Sequence, residues 1–429
     1  MRVIADFHIH SRYSRATSEK MSIQEITRFA KMKGLNLLGT GDFTHPKWLE
    51  ELKKDLIEIQ DSNLYKSAKN PASPVYYMIT GEVATIFPFE GSVKKIHNVI
   101  LTPSMETAKQ INDRLKPYGN LATDGRPTLN MTAPQLVEEI MHVSNENMVI
   151  PAHAWTPWFS LFGAFSGFNR MEDCYQDTTK HIYALETGLS SDPPMNWRLS
   201  SLDKYALVSN SDSHSHWPWR IGREANVFEL EHVTYQNMVD AIRKKDPEHF
   251  KFTIETDPAY GKYHWTGHRN CKVSLSPQEA IKFGNRCPVC RRNLTKGVEQ
   301  RVEELADRPV GFKPANAIGY MHLLPLSEII ATVLSVAYPS VQKVWDVYNT
   351  LVARFGDEYS VLIGASLDEM SKIVEPRIAE AIVRVREEKI KISPGYDGVY
   401  GQLVLFEEQQ EKTPEKLEKI KQRSLSDFM

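Results

Sequence analysis

Residues 2–10 read RVIADFHIH, and where this stretch puts its polar groups decides the fold. Arg2–Phe7 has the length and apolar character of one buried strand, and Asp6, His8 and His10 gather at its end. Residues i and i+2 of a strand share a face, so His8 and His10 point the same way. Two neighbouring imidazoles in an apolar segment are costly unless something binds them. A lone pair of this kind is as often a surface feature, so the rest of the chain has to decide.

Working outward, the pattern recurs. Asn36–Thr40, Tyr76–Thr80, Val99–Thr102, Asn147–Pro151, Ile182–Glu186 and Ala206–Ser209 also read as buried strands. Asp42, Glu82, His153, Glu186 and Asp212 fall at or just past strand ends. His45 follows Asp42, His97 precedes Val99–Thr102, and Asp212-Ser213-His214 repeats the i, i+2 spacing. Amphipathic stretches such as Ser22–Lys33 and Ala133–Val143 lie between. This alternation predicts a parallel α/β sheet. Seven strands converging on one face fit a barrel better than an open sheet, because barrels collect catalytic groups at strand ends. Histidine alternating with carboxylate is the donor set of a multinuclear metal site.

The motifs DFHIHS, GD with His45, GE followed by HNVI, PAHA and SDSH resemble the ordered motifs of polymerase and histidinol phosphatase (PHP) domains. The resemblance covers the first 230 or so residues. It implies a distorted, TIM-like (β/α)7 barrel with two or three divalent ions (Zn, Mn or Mg). His8, His10, Glu82 and Asp212 would hold one ion. Glu82, His97 and His153 would hold a second, with Glu82 bridging. His214, with His45 or Asp42, would hold a third, although Arg12 and Arg15 stand where many PHP domains have an acid or histidine. Glu82 and Asp212 are then the central catalytic carboxylates, around a hydroxide that attacks phosphorus in line.

Length and composition set the bounds. A chain of 429 residues suggests two or three domains. The formal net charge of −2 gives no whole-molecule pull on a polyanion. The start lacks the apolar run of a signal peptide, and Pro325 and Glu328 break the apolar stretch from Met321 to Tyr338, so a cytoplasmic protein with no membrane span is expected. Four cysteines, three of them close together, suggest metal binding rather than a disulfide framework.

His268-x2-Cys271 and Cys287-x2-Cys290, with fifteen residues between the pairs, have structural zinc spacing. His264 is an alternative fourth ligand. Over residues 260–310, ten Lys and Arg stand against five acids, which makes Arg291 and Arg292 candidates for phosphate contact. The expected division is a PHP barrel at 1–255, a zinc module at 256–310, a helical domain at 311–406 and a flexible tail at 407–429. This whole arrangement resembles the endonuclease Q family of DNA-repair enzymes. That resemblance implies cleavage of DNA 5′ to a deaminated base (uracil, hypoxanthine or xanthine) or an abasic site. The rival reading, a histidinol-phosphatase-like small-molecule phosphatase, leaves the zinc module, helices and tail without work.

An enzyme selecting a damaged base usually extrudes it from the stack. The segment 154–168 carries six large aromatics, with Gly163 and Gly167 as hinges, and offers Trp155, Trp158 and Phe159 to a base; core packing is the competing role. Asn196 and Arg198 are expected to rim the site. Asp192 is placed to act as a base or contact substrate, and equally to cap the helix after Pro193. The ending Gln422-Arg-Ser-Leu425-Ser-Asp-Phe428-Met429 resembles the peptides that dock on sliding clamps, with Met429 in place of the usual second aromatic.

Overall fold

The structure, a computed structural model, describes residues 1–406. Gln422, Leu425 and Phe428 of the expected clamp peptide lie outside the described residues.

The seven expected strands are present as Arg2–Asp6, Leu37–Gly39, Tyr76–Phe89, Ser92–Thr102, Met148–Pro151, Ala184–Glu186 and Ala206–Val208. The first three pair in parallel, with Ala5 beside Leu37 and Leu38 beside Tyr77. Ala184–Glu186 and Ala206–Val208 also pair in parallel. Two contacts draw the ring together: Ala154 N–H donates to Glu186 O at 2.9 Å, and His10 N–H donates to Ser213 O at 2.9 Å.

One strand departs from the parallel expectation. Ser92–Thr102 runs antiparallel to both Tyr76–Phe89 and Met148–Pro151. The cause is the Glu90-Gly91 turn, with φ of 47° and 75°, a two-residue hairpin whose twist matches the flanking strands. The hairpin strands are 14 and 11 residues long. Glu82 sits opposite Val99 and His97 opposite Ala84, so both lie inside strands rather than at their ends.

The helices are set by local chemistry. Ser22 accepts from Glu25 N–H to start Ile23–Lys33, and Gly34, at φ 94°, ends it. A Thr132–Gln135 capping box starts Ala133–Val143. Each helix turns its apolar face onto the ring: Ile23, Ile26 and Phe29 in the first, Leu136, Val137 and Ile140 in the second.

Beyond the ring, Ala225–Glu229 lies antiparallel to the first strand, Phe250–Glu255 follows it, and Gly319–His322 adds in parallel. A strand therefore leaves the stretch expected to be helical and joins the barrel sheet; four residues are too few to show a period. The helices Leu326–Val333, Gln342–Phe355 and Pro376–Arg386 share one hydrophobic core with the barrel. Lys33 Nζ pairs with Glu358 at 2.7 Å, fully buried. The hairpin of Lys391–Ser393 and Gln402–Val404 returns to the cysteine-bearing segment, where Arg269 N–H donates to Asp397 at 2.7 Å. Among the described residues, no helix is long and apolar enough to cross a membrane.

Candidate metal centre and zinc site

His8 and His10 leave the first strand on one face, and their tautomers follow from their partners. His8 Nδ1 lies 3.0 Å from Glu186, and His10 Nδ1 lies 2.9 Å from Asp42. A carboxylate only accepts, so each Nδ1 carries the hydrogen and each Nε2 keeps a lone pair. Both Nε2 atoms face Glu82 Oε2, at 3.4 and 3.2 Å, and Asp212 Oδ1, at 3.6 and 3.0 Å. His8 Nε2 is buried without a hydrogen-bond partner. A buried lone pair aimed between two carboxylates fits a divalent cation.

Glu82 turns its other oxygen, Oε1, to His97 Nδ1 at 2.8 Å and His153 Nε2 at 3.2 Å. The fold thus assembles two donor sets, His8–His10–Glu82–Asp212 and Glu82–His97–His153, each close enough to hold an ion. They share one carboxylate, with an oxygen for each. Burial alone would raise the Glu82 carboxyl, but His97, Arg126 and His8 outweigh it and hold it well below the usual range. Burial would also raise Asp212, and His8, His10 and His214 hold it low. Burial pushes His97 down to about 4, whereas the surrounding carboxylates outweigh burial and push His8, His10 and His153 up, protons that a bound cation would displace. Asp42, His153 and Asp212 adopt φ of 49°, 31° and 46°, a conformation that costs a non-glycine residue about 1–3 kcal/mol and persists where the surroundings enforce it.

The third expected set does not assemble. Asp42 is taken up by His10 Nδ1 and by Ser11, whose N–H and Oγ–H both donate at 2.6 Å. His45 Nε2 donates to Ala122 O at 3.2 Å, and its ring stacks on Tyr13. His214 stays near the centre, 3.5 Å from Asp212 and stacked on His10 at 4.4 Å. Asp42 is therefore a positioning group for His10, and His45 is part of the packing behind it.

A second cluster lies in the 256–310 segment. His268, Cys271, Cys287 and Cys290 converge, with Cys290 Sγ 3.3 Å from His268 Nδ1. The knuckle is closed by Arg291 N–H donating to Cys287 O at 2.9 Å. Three thiols and one imidazole match structural zinc. His264 points elsewhere, 3.5 Å from Glu299, which leaves His268 as the fourth donor.

The chain is 34% identical to the lesion-specific endonuclease PfuEndoQ from Pyrococcus furiosus, over 98% of this chain and 99% of that one, with a TM-score of 0.84. The chain belongs to the endonuclease Q family. A crystal structure of endonuclease Q with a 27-mer duplex carrying an abasic lesion matches equally well, at 34% identity and TM-score 0.84, over 95% of this chain and 98% of that one. A family model described as the MJ0043 C-terminal domain matches residues 325–389. The uncharacterized protein MJ0043 of Methanocaldococcus jannaschii is 35% identical over 259 residues, 58% of this chain; the chain spans about a third (31%) of that relative's length. As an endonuclease Q family member, the chain is a metal-dependent endonuclease.

Several residues expected to face substrate have partners within the framework of this endonuclease Q fold. Trp155 is fully buried, and its indole N–H donates to the buried Asn196 at 2.8 Å. Arg198 pairs with Glu303 at 2.7 Å. Asp192 caps the short helix Pro193–Asn196 through Met195 N–H at 2.9 Å, and its other oxygen meets His322 at 3.2 Å. Prolines at the helix start and an acid before them make the cap the favoured role. Gly163 and Gly167 are also required for space: a Cβ on Gly163 would lie 2.5 Å from Thr156 O, and one on Gly167 would lie 2.6 Å from Leu161 O. Trp158 and Phe159 remain toward the centre, the former exposed and the latter with its ring 4.8 Å from that of His97. Arg291 and Arg292 are exposed.

Sequence reasoning left two groups unassigned. Glu186 accepts from His8 Nδ1–H, from His153 N–H at 2.7 Å and from Asn210 at 2.8 Å. Its place at a strand end was the available signal. Arg126, 3.2 Å from Glu82, comes from a loop with no motif around it.

Proposed function

We propose that this endonuclease hydrolyses DNA 5′ to deaminated bases (uracil, hypoxanthine or xanthine) and to abasic sites. The observation that carries the chemistry is Glu82, one carboxylate serving two metal donor sets in a buried pocket. Divalent ions bound there (Zn, Mn or Mg) supply a water acidic enough to be nucleophilic at neutral pH and positive charge for the phosphoryl oxygens. The chain's part is to hold and orient. Glu186 and Asp42 fix the tautomers of His8 and His10, and Asp212 closes their donor set. Arg126, a quarter exposed beside Glu82, offers a guanidinium to a phosphate oxygen entering the centre.

The substrate class rests on the family likeness, on the abasic duplex bound by the related endonuclease Q, and on the basic segment at 260–310. In this reading the barrel at 1–255 hydrolyses, the zinc module at 256–310 (through Arg291 and Arg292) and the helical region at 311–406 hold the duplex, Phe159 meets the damaged nucleotide, and Trp158 meets the duplex beside it. The tail at 407–429, through Gln422, Leu425 and Phe428, docks on a sliding clamp, which places the protein on DNA in the cytoplasm. A zinc ion in the Cys3His cluster fixes its module.

The test is incubation with labelled duplexes bearing one uracil, hypoxanthine or abasic site, in Mn²⁺ or Mg²⁺, beside a chromogenic phosphate monoester. A nick 5′ to the lesion that is lost in Asp212→Asn is expected. Monoester turnover without nicking would support the small-molecule phosphatase instead.

A further inference from the structure

We propose that the exposed Trp158–Phe165 stack is a wedge that fills the gap left in the duplex when the target nucleotide is extruded; this rests on the lesion-endonuclease reading above. The two rings stack with centroids 5.0 Å apart and planes within 16°, and they are 43% and 51% exposed. Two large parallel aromatics rarely stay open to solvent without a partner. Their flat faces offer what a base loses when its neighbour leaves the stack.

The stack adjoins the metal centre. Trp158 precedes Phe159, whose ring meets that of His97 at 4.8 Å and whose carbonyl accepts from His97 N–H at 3.0 Å. His153 begins the same loop. On its other side Trp158 meets Tyr263 edge-on at 5.5 Å, a residue of the cysteine-bearing segment. The wedge thus lies where barrel and zinc-binding segment face each other. Lys95 lies over the Phe159 ring at 5.1 Å, beside the stack, where its charge favours a phosphate backbone over an apolar protein partner.

A wedge has to be rigid, and this loop is. Phe165 N–H donates to Pro157 O at 3.0 Å, Phe159 N–H to Ser166 Oγ at 2.9 Å, and Gly167 N–H to Gly163 O at 2.9 Å. Arg301 ties the loop from outside, donating to the Phe162 and Phe168 carbonyls at 3.0 and 3.1 Å. Little ordering entropy remains to be lost when DNA arrives. Trp155 and Phe162 of the same loop are buried, with ring centroids 4.7 Å apart.

The experiment compares wild type, Trp158→Ala, Phe165→Ala and Trp158→Phe on one deaminated-base oligonucleotide, as a paired duplex and as a single strand. Extrusion costs unstacking only in the duplex, so the ratio of duplex to single-strand cleavage isolates the wedge. Loss of aromatic stacking should lower that ratio about five- to hundredfold in the alanine variants. Trp158→Phe, and a lesion set in an unpaired bubble, should restore it. An unchanged ratio overturns the wedge. A change in self-association by sedimentation with an unchanged ratio also overturns it, in favour of a contact between copies of the chain. A wild-type protein that cuts neither form overturns the lesion-endonuclease reading, and the wedge with it.

Discussion

Replacing Glu186 by glutamine keeps the shape of the side chain and changes one oxygen into an NH2 group, in a position with no exposure to water. Three donors converge there: His8 Nδ1–H at 3.0 Å, His153 N–H at 2.7 Å and the Asn210 amide NH2 at 2.8 Å. Asn210 cannot flip to accommodate the change, because its oxygen already accepts from Phe7 N–H at 2.8 Å and from Asn226 at 3.0 Å. If the glutamine oxygen serves His153 N–H, its NH2 faces donors and leaves one unmet, at a cost of about 1–3 kcal/mol. The other escape is for His8 to move its hydrogen to Nε2 and accept at Nδ1. That removes the lone pair His8 aims at Glu82 and Asp212. Either route weakens the first donor set, by the ten- to hundredfold in metal affinity typical of such partners.

The assay is a Mn²⁺ titration of the metal-stripped protein, followed by nicking of lesion DNA at each concentration, with thermal melting alongside. Glu186→Gln should need about ten- to hundredfold more metal for half-maximal activity and should recover most of its rate at saturation. An activation curve that overlays wild type, with unchanged melting, would refute the tautomer argument. Asp42→Asn, which faces His10 in the same way, provides a second instance of the same logic.

Burial opposes a charge on His322, but Asp192 at 3.2 Å, with Asp257 and Glu388, outweighs it and lifts the ring to about 9. Because the folded value lies above the unfolded 6.5, this clasp gives its full stability below pH 6.5 and loses it as pH rises through 9, by up to about 3 kcal/mol. Urea midpoints at pH 6 and pH 9.5 should differ more for wild type than for His322→Gln; equal differences would refute it. Cys287→Ser should release one equivalent of zinc and open residues 256–310 to limited proteolysis, and retained zinc by metal analysis would count against the cluster. Deleting residues 422–429 should abolish co-elution with a sliding clamp, and co-elution that survives would remove the tail from the proposal.

How far the site was legible depends on how local its causes are. His8, His10 and Asp212 were readable because i, i+2 spacing at a strand end is a short-range geometric fact. Their partners were harder. Glu82 and His97 belong to a hairpin whose direction is set by Glu90-Gly91, a two-residue turn that the strand-by-strand reading passed over. Asp42 looked like a ligand by position and proves to be a partner of one. The difference is the contact of Asp42 with His10 Nδ1 at 2.9 Å, which no spacing encodes. Trp155 and Trp158 are three residues apart in one aromatic run, yet one is core and one is exposed. Only the folded loop, pinned through Asn196 and Arg301, separates them. The strand Gly319–His322 was invisible because its stability comes from Phe250–Glu255 beside it.

The net charge of −2 means that this protein cannot rely on long-range attraction to hold DNA, so its grip has to be local and well placed. The basic residues Arg269, Arg286, Arg291 and Arg292 are exposed on the segment that carries the Cys3His cluster. That segment leads into the helix Val298–Leu305, whose Arg301 donates to two carbonyls of the loop beginning at His153. The path from patch to metal centre therefore runs through a closed knuckle, one helix and the paired hydrogen bonds of the Arg301 guanidinium. A phosphate displaced by about 1 Å from its line of attack can cost a hundredfold in rate. On the proposed function, contacts on one segment would set the position of a scissile bond on another through this path.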